Sequence, residues 1–294
     1  MVALLATCRA HAQVQPAYTQ IDVPGAVSTY VHGVSGDEVV GEDMTPDGAY
    51  HNFVYDGNSY SSLTFPGATI TGITGIAGNE IFGTYYVASD GKNYGFVYNG
   101  TSYASFGVPG ASVTVLTGMS GGSMVGFYYP QNGFQQGFIF NGTTYTTLSD
   151  PGSVWTEVLG ISGNNIIGAD NNNGFYYSAG VFSIFNVPGA GWVDPLGIDG
   201  NNIVGEANFG NTQEAFLYDG TGYTILNVPG MTSISVYGIS GNKIFGYGHL
   251  GPQDGGFDLG FVATIEPAPE PSAAALAGLG AVSLLVIRQF KRGP

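Results

Sequence analysis

Few residue patterns in this 294-residue chain could do chemistry, and most of them read as structural. Gly118-Met119-Ser120-Gly121-Gly122 has the Gly-x-Ser-x-Gly form that presents a nucleophilic serine on a strand-to-helix turn. Ser35, Ser162 and Ser240 hold the same position in other repeats, and no helix pattern follows, so Ser120 reads as a turn residue. His32, His51 and His249 lack metal-ligand spacing. Asp170-Asn171-Asn172-Asn173-Gly174 lacks the carboxylate that closes a twelve-residue calcium loop. The pairs Asp37/Glu38 and Glu42/Asp43 could serve as acid and base, but beside an exposed turn they read as solvated. No catalytic residue, metal or cofactor is expected.

Aromatic side chains are the better candidates, because a flat ring can stack on the apolar face of a sugar. Tyr85, Tyr86, Tyr128, Tyr129, Phe209 and Trp192 lie where the repeats vary. Tyr85 and Tyr128 directly follow a repeat glycine-containing strand and read as packing. Trp192, Tyr86, Tyr129 and Phe209 remain as binding candidates, with Trp192, beside the Pro188-Gly189 turn, the leading contact.

The elements that must position these residues are repetitive. Pro-Gly recurs at Pro24, Pro66, Pro109, Pro151, Pro188 and Pro229. After each come seven residues, Gly, two residues, Gly, four residues and Gly, without one insertion. A second block follows: Phe53, Phe96, Phe138, Phe175 and Phe216 each precede an aromatic by seven residues and a Pro by thirteen. Asp56-Gly57, Asn99-Gly100, Asn141-Gly142 and Asp219-Gly220 mark two-residue hairpin turns inside it. Each unit thus reads as four short strands.

The sixth unit lacks its fourth strand, while the chain opens with an orphan, YTQIDVPG, of the fourth-strand type. An N-terminal strand that completes the last unit is how a β-propeller closes its ring. The expected fold is all-β, a six-bladed propeller over 13–266. A linear β-solenoid is the runner-up. Length variation falls between strands two and three: EDMTPDGAYHN in the first unit, YYPQNGFQQ in the third, DNNN in the fourth and GHLGPQDGGFDL in the sixth. These connections should share one face with the Pro-Gly turns, and variable loops on a rigid scaffold are where recognition lies.

Charge is sharply partitioned. Between Tyr18 and Thr264 only Lys92 and Lys243 are basic, against 19 carboxylates. Such a surface repels phosphate backbones, which argues against nucleic acid and anionic membranes as partners. Calcium or a neutral polysaccharide would be tolerated. The lone cysteine, Cys8, falls in the first twelve residues, so no disulfide is expected in the body.

Both ends read as addresses. In MVALLATCRAHA an apolar stretch leads to Ala10-His11-Ala12, a signal-peptide cleavage pattern with Gln13 as the new terminus. The basic n-region is missing, which points to a start inside a longer leader; a lipoprotein signal at Leu5-Ala6-Thr7-Cys8 fits poorly because of Thr7. At the other end, prolines 267, 269 and 271 form a stiff spacer, Ser272 can cap a helix, and Ala273 to Ile287 carries no charge. That stretch is short of the roughly 20 residues that span a bilayer comfortably. Pro269-Glu270-Pro271, the apolar stretch and Arg288, Lys291 and Arg292 together resemble the PEP-CTERM sorting signal, departing from its common pattern at Ala268 and in the trailing Gly293-Pro294. The resemblance implies a sorting tail over 267–294 with a hydrophobic helix, transient anchorage of 272–287 in the inner membrane, processing by an exosortase, and an association with exopolysaccharide. The body, in lines such as EAFLYDGTGYTILNVPG and VYGISGNKIFG, resembles the HAF-type extracellular repeat, which brings no catalytic residues.

The functional expectation is an exported surface or matrix protein of bacterial type, not an enzyme, that binds polysaccharide or protein through the variable face. The alternative is a secreted propeller enzyme, a glycoside hydrolase or lyase, which needs convergent carboxylates at the channel mouth.

Overall fold

The structure is a computed structural model that describes residues 17–171, 173–251 and 256–265. The leader expected over residues 1–12 with Cys8, the expected sorting motif at Pro269, Glu270 and Pro271, the apolar stretch after it and Arg288, Lys291 and Arg292 lie outside these residues. Everything described is strand, turn or loop. No helix long and apolar enough to cross a membrane occurs among the described residues.

After an N-terminal strand β1 (Ala17–Ile21), the first repeat forms β2 (Ser28–Ser35), β3 (Glu38–Met44), β4 (Tyr50–Tyr55) and β5 (Tyr60–Ser62). The second gives β6 (Ile70–Ala77), β7 (Glu80–Val87), β8 (Lys92–Tyr98) and β9 (Tyr103–Phe106). The third gives β10 (Ala111–Ser120), β11 (Ser123–Pro130), β12 (Gln136–Phe140) and β13 (Tyr145–Leu148). The fourth gives β14 (Thr156–Ser162), β15 (Asn165–Asp170), β16 (Gly174–Ser178) and β17 (Val181–Ile184). The fifth gives β18 (Trp192–Asp199), β19 (Asn202–Phe209), β20 (Thr212–Tyr218) and β21 (Tyr223–Ile225). The last has β22 (Ser233–Ser240), β23 (Lys243–His249) and β24 (Asp258–Thr264).

The propeller class holds, but the strand pairing corrects the expectation of six separate four-stranded blades. Four blades of that kind exist: β2–β5, β14–β17, β18–β21, and β22–β24 completed by β1. The second and third repeats form a single eight-stranded sheet, joined where Val113 on β10 pairs in parallel with Asn93 on β8. The cause is local. β10 starts one residue after Gly110, whereas β2, β6, β18 and β22 start three residues after the corresponding glycine. Its β-branched run Val113-Thr114-Val115 favours extended backbone from the turn onward, so the strand reaches back to its neighbour.

The ends meet as the orphan strand requires. β1 pairs antiparallel with β24, Gln20 opposite Phe261 and Tyr18 opposite Ala263, so the chain covers an edge that would otherwise be open. The ends of a solenoid have no need to meet in this way. All six first strands (β2, β6, β10, β14, β18, β22) line one narrow axial channel of about 120 Å³.

Each first strand carries a β-bulge at the same place, between Val31 and Gly33 in β2, Ile73 and Gly75 in β6, and so on to Val236 and Gly238 in β22. A bulge leaves one residue unpaired and re-aims its side chain. The residues so released are His32, Thr74, Thr117, Leu159, Leu196 and Tyr237, which all line the channel. Three of them hold the next repeat: His32 Nδ1 lies 2.7 Å from the Ile73 carbonyl, Thr74 Oγ1 donates to Leu116 O at 2.5 Å, and Thr117 Oγ1 donates to Val158 O at 2.9 Å. A carbonyl can only accept, so His32 carries its proton on Nδ1.

The invariable glycines have two steric reasons. At Gly197, a Cβ would lie 2.5 Å from Gly238 Cα in the next first strand, so the strands around the channel can approach only without side chains there. At Gly126, a Cβ would lie 1.9 Å from the Val115 carbonyl oxygen and 3.0 Å from the Phe138 ring. The repeated Phe lies over that glycine, and Phe53, Phe96, Phe175, Phe216 and Phe261 in equivalent places are all fully buried. Gly126→Ala should therefore cost about 1–3 kcal/mol or more in urea unfolding. Gly222→Ala, with open space around it, should stay within about 0.5 kcal/mol.

Candidate functional site

The Pro-Gly turns and the variable connections do share one face. Val27 N donates to Met44 O, Thr69 N to Tyr86 O, Gly191 N to Asn208 O and Thr232 N to His249 O, which ties the start of each first strand to the end of the second. On the opposite face the tight turns are stitched to one another. Gly163 N donates to Ser120 Oγ, Gly200 N to Ser162 Oγ and Gly241 N to Asp199 Oδ2, while Lys243 Nζ donates to Gly36 O. Ser120 is thus a link between repeats, as its turn position suggests.

On the variable face, the third repeat's connection and the fourth repeat's first strand enclose a cleft of about 340 Å³. Tyr129, Gly133, Phe134, Gln135, Trp155 and Glu157 line it. Tyr129 comes from the end of β11, and Gly133, at φ +118°, turns the connection so that Phe134 and Gln135 follow. Thr156 N donates to Gln135 O at 3.1 Å, which fixes the connection against β14 between Trp155 and Glu157. Tyr129 Oη donates to Gln135 Oε1 at 2.9 Å. That bond orients the amide so that the buried Gln135 Nε2 turns toward Glu157, with donor capacity left over. Phe134 is 63% exposed and Tyr129 41% exposed, so the rings are open to a ligand.

Carboxylates gather beside this cleft. Three residues before each bulge-flanking glycine, the first strands carry Tyr30, Gly72, Val115, Glu157, Asp194 and Ser235 at one level of the channel. Opposite them on the second strands stand Glu42, Thr84, Phe127, Ala169, Glu206 and Tyr247. Burial raises Glu157 above the usual carboxylate range; the Gln135 amide opposes this and the Asp194 charge adds to it. Burial likewise raises Glu206, with hydrogen bonds from Ser235 and Gln213 opposing and Asp194 adding. Glu42 is raised by burial and by Asp43, and its Oε1 would lie 3.3 Å from a Cβ at Gly72. Glu42 and Asp43 are therefore not the solvated pair the sequence suggests: Glu42 is half-buried and Asp43 buried, at the opposite end of β3 from the tight turn. Tyr237 is raised by burial and neighbouring phenols and carboxylates, and Tyr30 is pushed up to about 12 by burial and its hydrogen bond to Asp258. Among the described residues no group of three or more His, Cys, Asp or Glu could hold a metal ion.

Of the aromatic candidates, only Tyr129 lines the cleft. Trp192 opens β18 opposite Asn208 and is half-buried; Tyr86 stands opposite Ile70 on β7. Phe209 packs on the core around Phe216 and Val187, close to the Pro188-Gly189 turn. Tyr85 is stacked on Phe65 at 3.8 Å and Tyr128 bonds Thr147, both as packing residues. Trp155, Phe134, Gln135 and Glu157 escaped the sequence reading. A signal existed, because Trp155 follows Pro151 at the same distance as Trp192 follows Pro188.

Asp150 holds a place filled by Val23, Phe65, Val108, Val187 and Val228 in other repeats. Burial and the adjacent Asp170 push it from the ordinary 3.8 up to about 6. The fold thus binds this proton more tightly than the unfolded chain, so stability falls as pH rises from 3.8 to about 6. Asp150→Asn should raise the melting temperature above about pH 6 and change it little below about pH 4, as calorimetry at the two pH values would record.

No known protein family and no curated protein matches the chain. Solved structures of similar shape include the Pyrococcus horikoshii acylaminoacyl peptidase (10% identity, TM-score 0.47, covering 74% of this chain and 43% of that one). A puromycin-hydrolyzing peptidase of Mycobacterium tuberculosis is similar at 13% identity and TM-score 0.48, over 81% of this chain and 52% of that one. The SapL1 lectin, solved with alpha methyl fucoside, follows at 15% identity and TM-score 0.42, over 83% and 98%. The chain spans about half the length of these two peptidases. With peptidases among such structures, the expectation of a body that is no enzyme does not stand. At these identities and TM-scores the likeness assigns no activity.

Proposed function

We infer that the protein is an exported bacterial surface or matrix protein that recognises polysaccharide through the variable face of its propeller. The observation that carries this reading is the cleft, where Tyr129, Phe134 and Trp155 bring three rings together with Gln135 and Glu157. Rings offer the apolar face of a pyranose a surface, while a few placed polar groups fix its orientation. The tail's resemblance to the PEP-CTERM signal supports export, transient anchorage through 272–287 and release by an exosortase. The scarcity of basic residues in the body supports a partner other than nucleic acid.

Retention on a glycan array and on native exopolysaccharide tests this. Trp155→Ala and Tyr129→Ala should each weaken retention at least about tenfold, an effect of about 1.4 kcal/mol. Tyr86→Ala and Phe209→Ala should leave it unchanged. Retention indifferent to both cleft variants would sink the reading.

A second reading has its own observation. Glu157, Asp194 and Glu206 converge at the channel mouth, and carboxyls that burial raises above their ordinary range, set beside a further carboxyl, are the equipment of glycoside hydrolysis. For that reading, the purified protein should release reducing ends from a polysaccharide, and Glu157→Gln should lower the rate at least about a hundredfold. Absence of turnover over a broad polysaccharide panel counts against it.

A further inference from the structure

We propose that the cleft between the third and fourth repeats is specific for an amino sugar, taking a glycan through its free ammonium group. This rests on the reading of the variable face as a glycan-binding surface, and names the class of glycan.

Three properties of the cleft converge on that ligand. The first is charge. Glu157 lines the cleft, Asp194 on the neighbouring first strand acts on it electrostatically, and Glu206 stands opposite Asp194. Neither lysine of the body is among the residues that line the cleft. A uronate or sulfated sugar would meet only repulsion, whereas an ammonium would relieve the crowding of carboxylates. The second is the ring set. Cations are drawn to the faces of Trp, Tyr and Phe, and all three types line this one cleft. The third is Gln135. Its Oε1 is occupied by the Tyr129 hydroxyl, and its buried Nε2, which turns one N–H toward Glu157, has its second N–H to give. A buried donor without a partner is costly, and a ligand acceptor would recover that cost.

The acceptor separates a sugar from a lysine side chain. An amino sugar carries hydroxyl oxygens beside its ammonium, so one residue can answer Glu157 and Gln135 together. A lysine ammonium sits at the end of a methylene stem with no acceptor near it. N-acetylation of the amino sugar removes the charge that Glu157 answers, which makes the acetylated glycan the sharpest control.

Calorimetric titration of the full chain with four oligosaccharides of matched length tests the proposal: a β-1,4-glucosamine oligomer, its N-acetylated form, a cello-oligosaccharide and an oligogalacturonate. The glucosamine oligomer should bind at least about tenfold tighter than the acetylated and neutral oligomers, and the oligogalacturonate should not bind. Added salt should weaken the preferred ligand most. Glu157→Gln should bring the glucosamine oligomer down to the affinity of the neutral one, and Trp155→Ala should remove binding of all. Unchanged melting temperatures certify that both variants fold.

Equal binding of charged and neutral oligomers would overturn the amino-sugar assignment while leaving glycan recognition standing. Binding to no oligosaccharide would overturn both. A lysine-rich peptide that matches the glucosamine oligomer, with the same loss in Glu157→Gln, would overturn it in favour of a protein partner.

Discussion

The close approach of the first strands around the axis is the constraint on which the rest of the structure depends. Where Gly197 meets Gly238, or Gly33 meets Ile76, there is no room for a Cβ. Glycine by itself would weaken a strand. Here the loss is offset by the bulge beside it, which turns one side chain per repeat into the channel. His32, Thr74 and Thr117 use that freedom to bond the next repeat's backbone. A second ring of bonds, through Ser120, Ser162, Asp199 and Lys243, ties the tight turns together on one face. One face is thereby committed to holding the ring.

The opposite face is left free to vary. Its connections are anchored at both ends by the pairing of strands two and three, so their length can change without disturbing the core. The consequence is visible in two neighbouring tryptophans. Trp155 and Trp192 hold the same place in their repeats. The five-residue connection before Trp155 is long enough to carry Phe134 and Gln135 against it. The three-residue connection before Trp192 is not; there Asn173 Oδ1 accepts from Val193 N and closes the gap. A cleft arises in one place and a packed seam in the other, from identical tryptophans.

Burial and carboxylate crowding follow from the same geometry. The registers put Glu157, Asp194, Glu206 and Glu42 at one depth of the ring, where water is partly excluded and like charges face each other. Both effects favour the protonated carboxyl, or a cation that substitutes for the proton. Either a ligand ammonium or acid–base chemistry would exploit such a mouth. The fold supplies the environment and leaves the choice to the cleft beside it.

The repeat period, the glycine and phenylalanine positions and the complementary ends were legible in the amino-acid order, because each is a local steric demand repeated six times. They led to strands, turns and the pairing of the first strand with β24, whereas the bulge beside each repeated glycine shows only in the strand register. The merging of the second and third repeats was not legible. It depends on where β10 begins after Gly110, a matter of one or two residues, finer than the spacing shared by the six repeats can show. Nor was the site. Glu42 and Asp43 look solvated when read along the chain, since only the register places them away from the turn. Trp155, Gln135 and Glu157 become one site only when two repeats are set side by side. The sequence by itself determined the unit and how the ring must close; the tertiary structure decided which units fuse and where two of them leave a space.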